Sequence, residues 1–129
     1  MCLRGMANMC PDFSAFGIDR DGSHAHLVKI PAAAVAQGLV IPMPEEIKPD
    51  DATLAEPLSC VLNAAGAARI DSGDVVVVYG AGPMGLLNML VAASRGAAQV
   101  VAVDIDSQRL ESARRCGATW SINSTEADV

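Results

Sequence analysis

The sequence is short of basic residues and has no long run of apolar ones. Its 129 residues include 9 Lys and Arg against 15 Asp and Glu, a formal net charge of −6 at pH 7. This acidic balance argues against nucleic acid or an anionic membrane as a partner, because both attract positive charge. The longest apolar runs, such as residues 75–79 and 86–93, fall well short of the roughly 20 residues that span a bilayer. The chain also opens without a secretory signal pattern, so we expect a cytoplasmic protein.

Hydrophobic residues make up 51% of the chain, which is too many for a disordered tail. The length suits one domain, yet the composition and the residue pattern change along the chain. Residues 1–45 are rich in Gly and Pro and predict loops, with one strand at residues 24–30. An Ala-rich stretch at residues 52–69 predicts a helix with Asp50 or Asp51 as its N-cap. Because Pro57 lies inside this stretch, we expect a kink or two shorter helices.

From residue 74 onward the pattern alternates between strand and helix. The β-branched run at residues 75–79 is typical of a strand that is covered on both faces. Gly96 and Gly117 mark the ends of the two helices that follow. The predicted elements are strands at 75–79, 99–103 and 120–122 and helices at 83–95 and 107–116. This order predicts an α/β fold with a parallel sheet.

A glycine motif, Gly-Ala-Gly-Pro-Met-Gly, directly follows the first buried strand and opens a helix. In a dinucleotide-binding unit Gly80 permits the tight turn, and Gly82 lets the pyrophosphate approach the backbone. Gly85 lets the helix pack close to the strand, and the helix N-terminus attracts the phosphates. The candidate cofactor-binding residues of this motif are Gly80, Ala81, Gly82, Pro83, Met84 and Gly85.

Asp104 ends the second strand, about 20 residues beyond the loop, where an acidic residue accepts hydrogen bonds from the adenosine ribose. Its carboxylate would repel a 2′-phosphate, and the next residues, Ile105 and Asp106, offer no Arg to receive one. The sequence therefore favours NAD over NADP. Two alternatives stay open: a Gly-rich turn of another α/β protein, and a methyltransferase, which also pairs a Gly-rich loop with an acidic strand end. Gly85 favours the dinucleotide.

Together these motifs resemble the zinc-containing medium-chain alcohol and polyol dehydrogenases, in particular the sorbitol dehydrogenase-like branch. The matching pieces are residues 2–10, 21–25, 56–59, 80–85, Asp104 with Arg109, and 116–119. The resemblance implies that the chain is an internal segment of a longer enzyme. Residues 1–57 would then be the end of a GroES-like β-rich catalytic domain. Residues 58–129 would be the first half of a Rossmann NAD-binding domain.

The resemblance also implies roles for individual residues. Cys2 and Cys10 match the last two of four cysteines that hold a structural zinc, although two thiolates cannot close a tetrahedral site. Glu56 matches the Glu of a Glu-Pro-Leu-Ser segment that reaches the catalytic zinc, as a ligand or through its bound water. A solvated Glu in the first turn of a helix is the alternative. Arg109 matches a basic residue that touches the adenosine ribose, and with Ile105 it completes the implied cofactor-binding set.

The implied reaction is a hydride transfer between the CH–OH group of a polyol or secondary alcohol and NAD, with Zn2+ as Lewis acid on the substrate oxygen. The implied enzyme is a homo-oligomer, a dimer or a tetramer, that acts on a small molecule. We expect the 129-residue chain alone to be inactive and marginally stable, because its sheet is half built. A threonine dehydrogenase, a zinc-free reductase of the same superfamily and a non-enzymatic nucleotide-binding fragment are the alternatives.

Overall fold

A computed structural model describes residues 9–127 of the chain. These residues separate into two compact units, the first ending at Pro42 and the second beginning at Met43. No helix within residues 9–127 is both long enough and apolar enough to cross a bilayer.

The first unit consists mainly of turns and loops. Within residues 9–42 one α-helix forms, α1 (Ala32–Ala36), and it begins directly after Pro31, which fixes the backbone angle at the start of the helix. The strand predicted at residues 24–30 is wrong, since this segment forms no β-pairing and Leu27 is 92% exposed. A strand needs a neighbour for its backbone groups, and the described part of this unit offers only an isolated bridge between Phe16 and Arg20.

The second unit opens with two helices where the sequence predicted a kinked or divided one. They are α2 (Pro49–Ala52) and α3 (Ala55–Ala67). The predicted N-cap is wrong, because Asp50 and Asp51 lie inside the first turn of α2, where the helix dipole favours acidic residues. Pro57 lies in the first turn of α3, where its missing N–H breaks no helical hydrogen bond. The break between α2 and α3 therefore lies before Pro57 rather than at Pro57.

The remainder of the second unit is a three-stranded parallel sheet in the order β1-β2-β3. Val77 of β1 pairs with Val101 of β2, and Val103 of β2 pairs with Ile122 of β3. The predicted α/β architecture is confirmed. Its elements are β1 (Val75–Tyr79), α4 (Pro83–Ser94), β2 (Gln99–Asp104), α5 (Ser107–Arg115) and β3 (Trp120–Asn123).

Both crossover helices end where the sequence predicted, next to glycines in the left-handed region. Gly96 has φ +84° and Gly117 has φ +97°, a conformation that other residues adopt only with strain. A Cβ at Gly117 would lie 2.9 Å from the Cβ of Ala93, so this glycine also lets the end of α5 approach α4. These two glycines end α4 and α5, and the chain turns there toward the strand that follows each helix.

The core lies between the sheet and its two crossover helices. Its fully buried members are Ala81, Met89, Ala92, Val100, Ala102, Leu110 and Ala113. On β1, Val76 and Val78 pack against this core, whereas Val77 is 50% and Tyr79 is 73% exposed. The expectation that β1 is covered on both faces is therefore wrong for the described residues. The crossover helices cover one face of β1, and its outer edge pairs with no described strand.

A second, smaller cluster joins α3 to α4. Val61 and Ala65 of α3 are buried against Val91 of α4, and Leu58 and Leu87 pack around them. This contact holds α3 beside the crossover helix whose N-terminus receives the glycine loop. The predicted domain boundary between residues 57 and 58 falls inside α3 and stays a prediction.

Candidate functional site

The loop between β1 and α4 begins with a sharp turn at Gly80. Its backbone N–H still donates to the carbonyl oxygen of Val103 at 2.8 Å, which extends the β1–β2 ladder by one bond. Its φ of +91° then turns the chain away from the strand. A residue with a side chain would be strained in this conformation, so glycine is required for the turn.

Gly85 holds the first turn of α4 against the end of β1. A Cβ built on Gly85 would overlap the carbonyl oxygen of Gly80 and lie 2.9 Å from its carbonyl carbon. Both of these are backbone atoms and cannot rotate away. The close packing that the sequence assigned to this glycine is thus present in the structure.

Gly82, unlike Gly85, has open space around it. It is the N-cap of α4 with an extended backbone, and a Cβ there would meet nothing within 4 Å. No acidic residue lies in the first turn of α4, and Pro83 occupies its first position. No described residue accepts a hydrogen bond from the N–H groups of Met84 or Gly85. Open space, free donors and the positive end of the helix dipole therefore coincide at this point, which suits an anion.

Asp104 lies at the end of β2, beside this loop, and is only 7% exposed. Its Oδ2 accepts a hydrogen bond from the N–H of Ala81 at 2.6 Å. Its Oδ1 accepts another from the N–H of Asp106 at 2.9 Å. The hydrogen bond from Ala81, followed by that from Asp106, lowers the pKa of Asp104 against the opposing effect of burial. The carboxylate is therefore charged at neutral pH.

A cleft of about 280 Å3 opens at the carboxyl ends of β1 and β2. Ligands of open α/β sheets bind at this end of the strands. The structure brings four of the candidate residues together here, and the cleft is lined by Tyr79, Gly80, Val103, Asp104, Ile105, Arg109 and Ser124. The cleft, the open space at Gly82 and the free N–H groups fit a dinucleotide.

Of the three candidate metal ligands, the structure describes Cys10 in the first unit and Glu56 in the second. Cys2 lies outside the described residues, and Cys10 is a half-buried free thiol of the first unit. Glu56 is exposed in the first turn of α3, where the Cys60 thiol donates to its Oε1 at 3.7 Å. Within residues 9–127 no three His, Cys, Asp or Glu side chains are grouped to hold a metal ion. The described residues do not by themselves fit a zinc site.

Sequence reasoning missed the role of Asp106. Its Oδ1 accepts from the N–H groups of Gln108 at 2.8 Å and Arg109 at 3.3 Å, so it is the N-cap of α5. The signal was present, because an Asp immediately before a predicted helix is a typical N-cap. The bond between Asp104 and Ala81 was also missed, and it depends on strand pairing that no local pattern reveals.

No family model matches the chain. Curated relatives nevertheless match nearly all of it. L-threonine 3-dehydrogenase of Pyrococcus abyssi is 38% identical over 99% of this chain and 35% of its own length. Erythritol/L-threitol dehydrogenase of Mycolicibacterium smegmatis is 37% identical with the same coverage. Sorbitol dehydrogenase of Bacillus subtilis is 31% identical, again over 99% of this chain and 35% of its own length.

Solved structures agree with these relatives. Galactitol-1-phosphate dehydrogenase from Escherichia coli is 31% identical with a TM-score of 0.85, over 98% of this chain and 35% of the other. The RspB short chain alcohol dehydrogenase of E. coli CFT073, solved with NADH, is 30% identical with a TM-score of 0.86, over 98% and 36%. A Sinorhizobium meliloti 1021 protein solved with NADP is 29% identical with a TM-score of 0.87, also over 98% and 36%.

The glycine loop lies in a parallel α/β unit, and the relatives named above are dehydrogenases. The chain belongs to the zinc-containing medium-chain alcohol and polyol dehydrogenase family. It spans about a third of the length of the curated relatives that it matches.

Proposed function

We propose that the second unit of the chain binds NAD as the first half of a Rossmann domain. In this proposal residues 58–129 carry the cofactor site, and residues 1–57 are the end of a GroES-like catalytic domain. The observation that carries the proposal is the open, donor-rich N-cap at Gly82 beside the buried carboxylate of Asp104. A 2.6 Å hydrogen bond from Ala81 to Asp104 joins the two parts of the site.

The proposed roles follow from the free hydrogen-bonding groups. The N–H groups of Met84 and Gly85 would bind the pyrophosphate, which Gly82 allows to approach the backbone. A carboxylate can accept about four hydrogen bonds, and Asp104 already accepts two, from the N–H groups of Ala81 and Asp106. The remaining two can accept from the hydroxyls of the adenosine ribose. When bound, NAD supplies the nicotinamide ring that accepts the hydride.

The reaction we propose for the longer protein is the oxidation of a CH–OH group of a small polyol or secondary alcohol. The names of the sorbitol and erythritol/L-threitol relatives support this class of substrate. L-Threonine is the second candidate, because the relative that is 38% identical carries that name. Glu56, with Cys2 and Cys10, stays a prediction for the zinc sites of the same protein. A cytoplasmic location and a homodimer or homotetramer complete the proposal.

Titration of the 129-residue chain with NADH in a calorimeter tests the cofactor site directly. We expect saturable one-to-one binding of NADH and none of S-adenosylmethionine. Binding of S-adenosylmethionine in preference to NADH would overturn the proposal in favour of a methyltransferase. For the reaction, the longer protein is assayed for NAD reduction with sorbitol, threitol and L-threonine, with and without a chelator. Dinucleotide binding without turnover of any alcohol would indicate a non-enzymatic binding module, and activity unaffected by the chelator would indicate a zinc-free reductase.

A further inference from the structure

The first unit contains the one Asp-Gly pair of the chain, Asp21-Gly22, and no Asn-Gly pair occurs in the sequence. Of the 11 glycines, Gly22 alone follows an Asp or an Asn. In such a pair the backbone nitrogen of the glycine can attack the side-chain carboxyl carbon of the preceding residue, because glycine has no Cβ to obstruct the approach. The pair therefore has the local chemistry for a spontaneous rearrangement of the backbone.

Asp21 and Gly22 lie in a loop between the bridge of Phe16 with Arg20 and the helix α1. Both residues are exposed. Within residues 9–127 no group accepts a hydrogen bond from the N–H of Gly22, and no donor or cation binds the carboxylate of Asp21. The attacking nitrogen and the carbon that it attacks are thus not restrained by the described contacts, so the loop can reach the reactive geometry without opening of the fold.

The next most susceptible pairs are those in which an Asp or an Asn precedes a serine, namely at Asp71, Asp106 and Asn123. Each of these side chains is held. Asp106 Oδ1 accepts from the N–H of Gln108 at 2.8 Å as the N-cap of α5. Asn123 Oδ1 accepts from the N–H of Thr125 at 3.0 Å. Asp71 Oδ1 accepts at 2.8 Å from the N–H of the next residue, the group that would have to attack. These contacts separate the three pairs from Asp21-Gly22.

We propose that Asp21 is a modification site, which converts to isoaspartate through a cyclic succinimide. The nitrogen of Gly22 forms a bond to Cγ of Asp21, and a carboxyl C–O bond breaks as one water leaves. Water then adds to the backbone carbonyl carbon of the ring, and the C–N bond at that carbon breaks. The chain afterwards continues through Cγ, with the α-carboxylate as the side group. Because one water leaves and one returns, the conversion needs no oxidant and no cofactor.

Gly22 can be replaced without strain, which makes the proposal testable. Its φ lies outside the left-handed region, and a Cβ there would meet only the Cα of Gly17 at 3.8 Å, an ordinary van der Waals contact. Gly22→Ala therefore changes the reaction rather than the fold, since the added Cβ obstructs the nitrogen and narrows the backbone conformations. Gly66→Ala is the matched control, because it adds the same methyl group in open space on α3.

The 129-residue chain and both variants are incubated at neutral pH. Isoaspartate is measured as methyl groups transferred from S-adenosylmethionine by a protein-isoaspartate methyltransferase, and mass spectrometry of tryptic peptides locates it. We expect isoaspartate at residue 21 with no change in the mass of the chain. The rate should fall on the order of tenfold in Gly22→Ala. The rate in Gly66→Ala should equal that of the original chain.

The rate at Asp21 should also be of the same order in the folded chain and in urea, because no described contact restrains either reacting group. A far slower reaction in the folded chain, an unchanged rate in Gly22→Ala, or isoaspartate mainly at another residue would overturn the inference. Should circular dichroism show that Gly22→Ala is unfolded, Asp21→Glu replaces it. The longer side chain must close a larger ring, so the signal at residue 21 should vanish. The proposal concerns the first unit and does not depend on the cofactor site of the second.

Discussion

The backbone nitrogen of Ala81 lies 2.6 Å from Oδ2 of Asp104, a buried contact between residues that are 23 positions apart. It joins the loop after β1 to the end of β2, at the edge where the proposed cofactor would bind. Asp104 therefore does more than present a carboxylate to a ribose. It also fixes the backbone that would receive the pyrophosphate.

Asp104→Ala should destabilise the chain, because it removes the acceptor of the N–H of Ala81, a core residue that is only 1% exposed. We expect a loss of about 1–3 kcal/mol in the free energy of unfolding, measured by urea titration. Asp74→Ala is the control, since its Oδ2 accepts from the N–H of Asp71 at 2.8 Å at an exposed site. A loss in the control as large as that in Asp104→Ala would contradict the structural role of the buried bond.

The same contact predicts a pH dependence. The pKa of Asp104 is lowered from its ordinary value of 3.8, mainly by the hydrogen bond from Ala81. A group with a lowered folded-state pKa stabilises the fold above its unfolded-state pKa, and this contribution is lost as pH falls through the folded-state value. The stability difference between the original chain and Asp104→Asn should be constant from pH 7 to about 5 and should shrink below about 4. A difference that is independent of pH between 7 and 2 would contradict the assigned cause.

Gly85→Ala should be strongly destabilising, because its Cβ would overlap the backbone carbonyl of Gly80. We expect the free energy of unfolding to fall by about 1–3 kcal/mol or more, the usual cost of inserting a methyl group into a filled space. Gly66→Ala on α3 is the counterpart, since a Cβ there meets nothing within 4 Å. That change should stabilise the chain by about 0.5–1 kcal/mol. Equal effects of the two substitutions in urea unfolding would refute the close approach of α4 to β1.

Much of the second unit follows from local sequence. The β-branched run at 75–79 predicts β1, and the glycines at 96 and 117 predict where α4 and α5 end. Two of the failures concern features that depend on distant partners. Residues 24–30 alternate like a strand, but no described neighbour pairs with them. Coverage of β1 likewise depends on elements beyond the crossover helices.

The site shows the same division between local and distant causes. Spacing alone assigned a turn to Gly80 and close packing to Gly85, and the backbone geometry of both agrees. Spacing could not show that Asp104 binds the loop, because that bond exists only when parallel pairing brings the ends of β1 and β2 together. The contact between the Asp106 carboxylate and Arg109 is local by comparison, because the two residues are three positions apart across the first turn of α5.

The most direct test of the account compares two equivalent substitutions in NADH titrations of the 129-residue chain. Gly82→Val places a side chain in the space that the pyrophosphate needs, whereas Gly66→Val places the same side chain on α3, also in open space. The account predicts that Gly82→Val abolishes NADH binding while Gly66→Val, with its fold checked by circular dichroism, keeps the original affinity. NADH binding that survives Gly82→Val unchanged would contradict the proposed cofactor site.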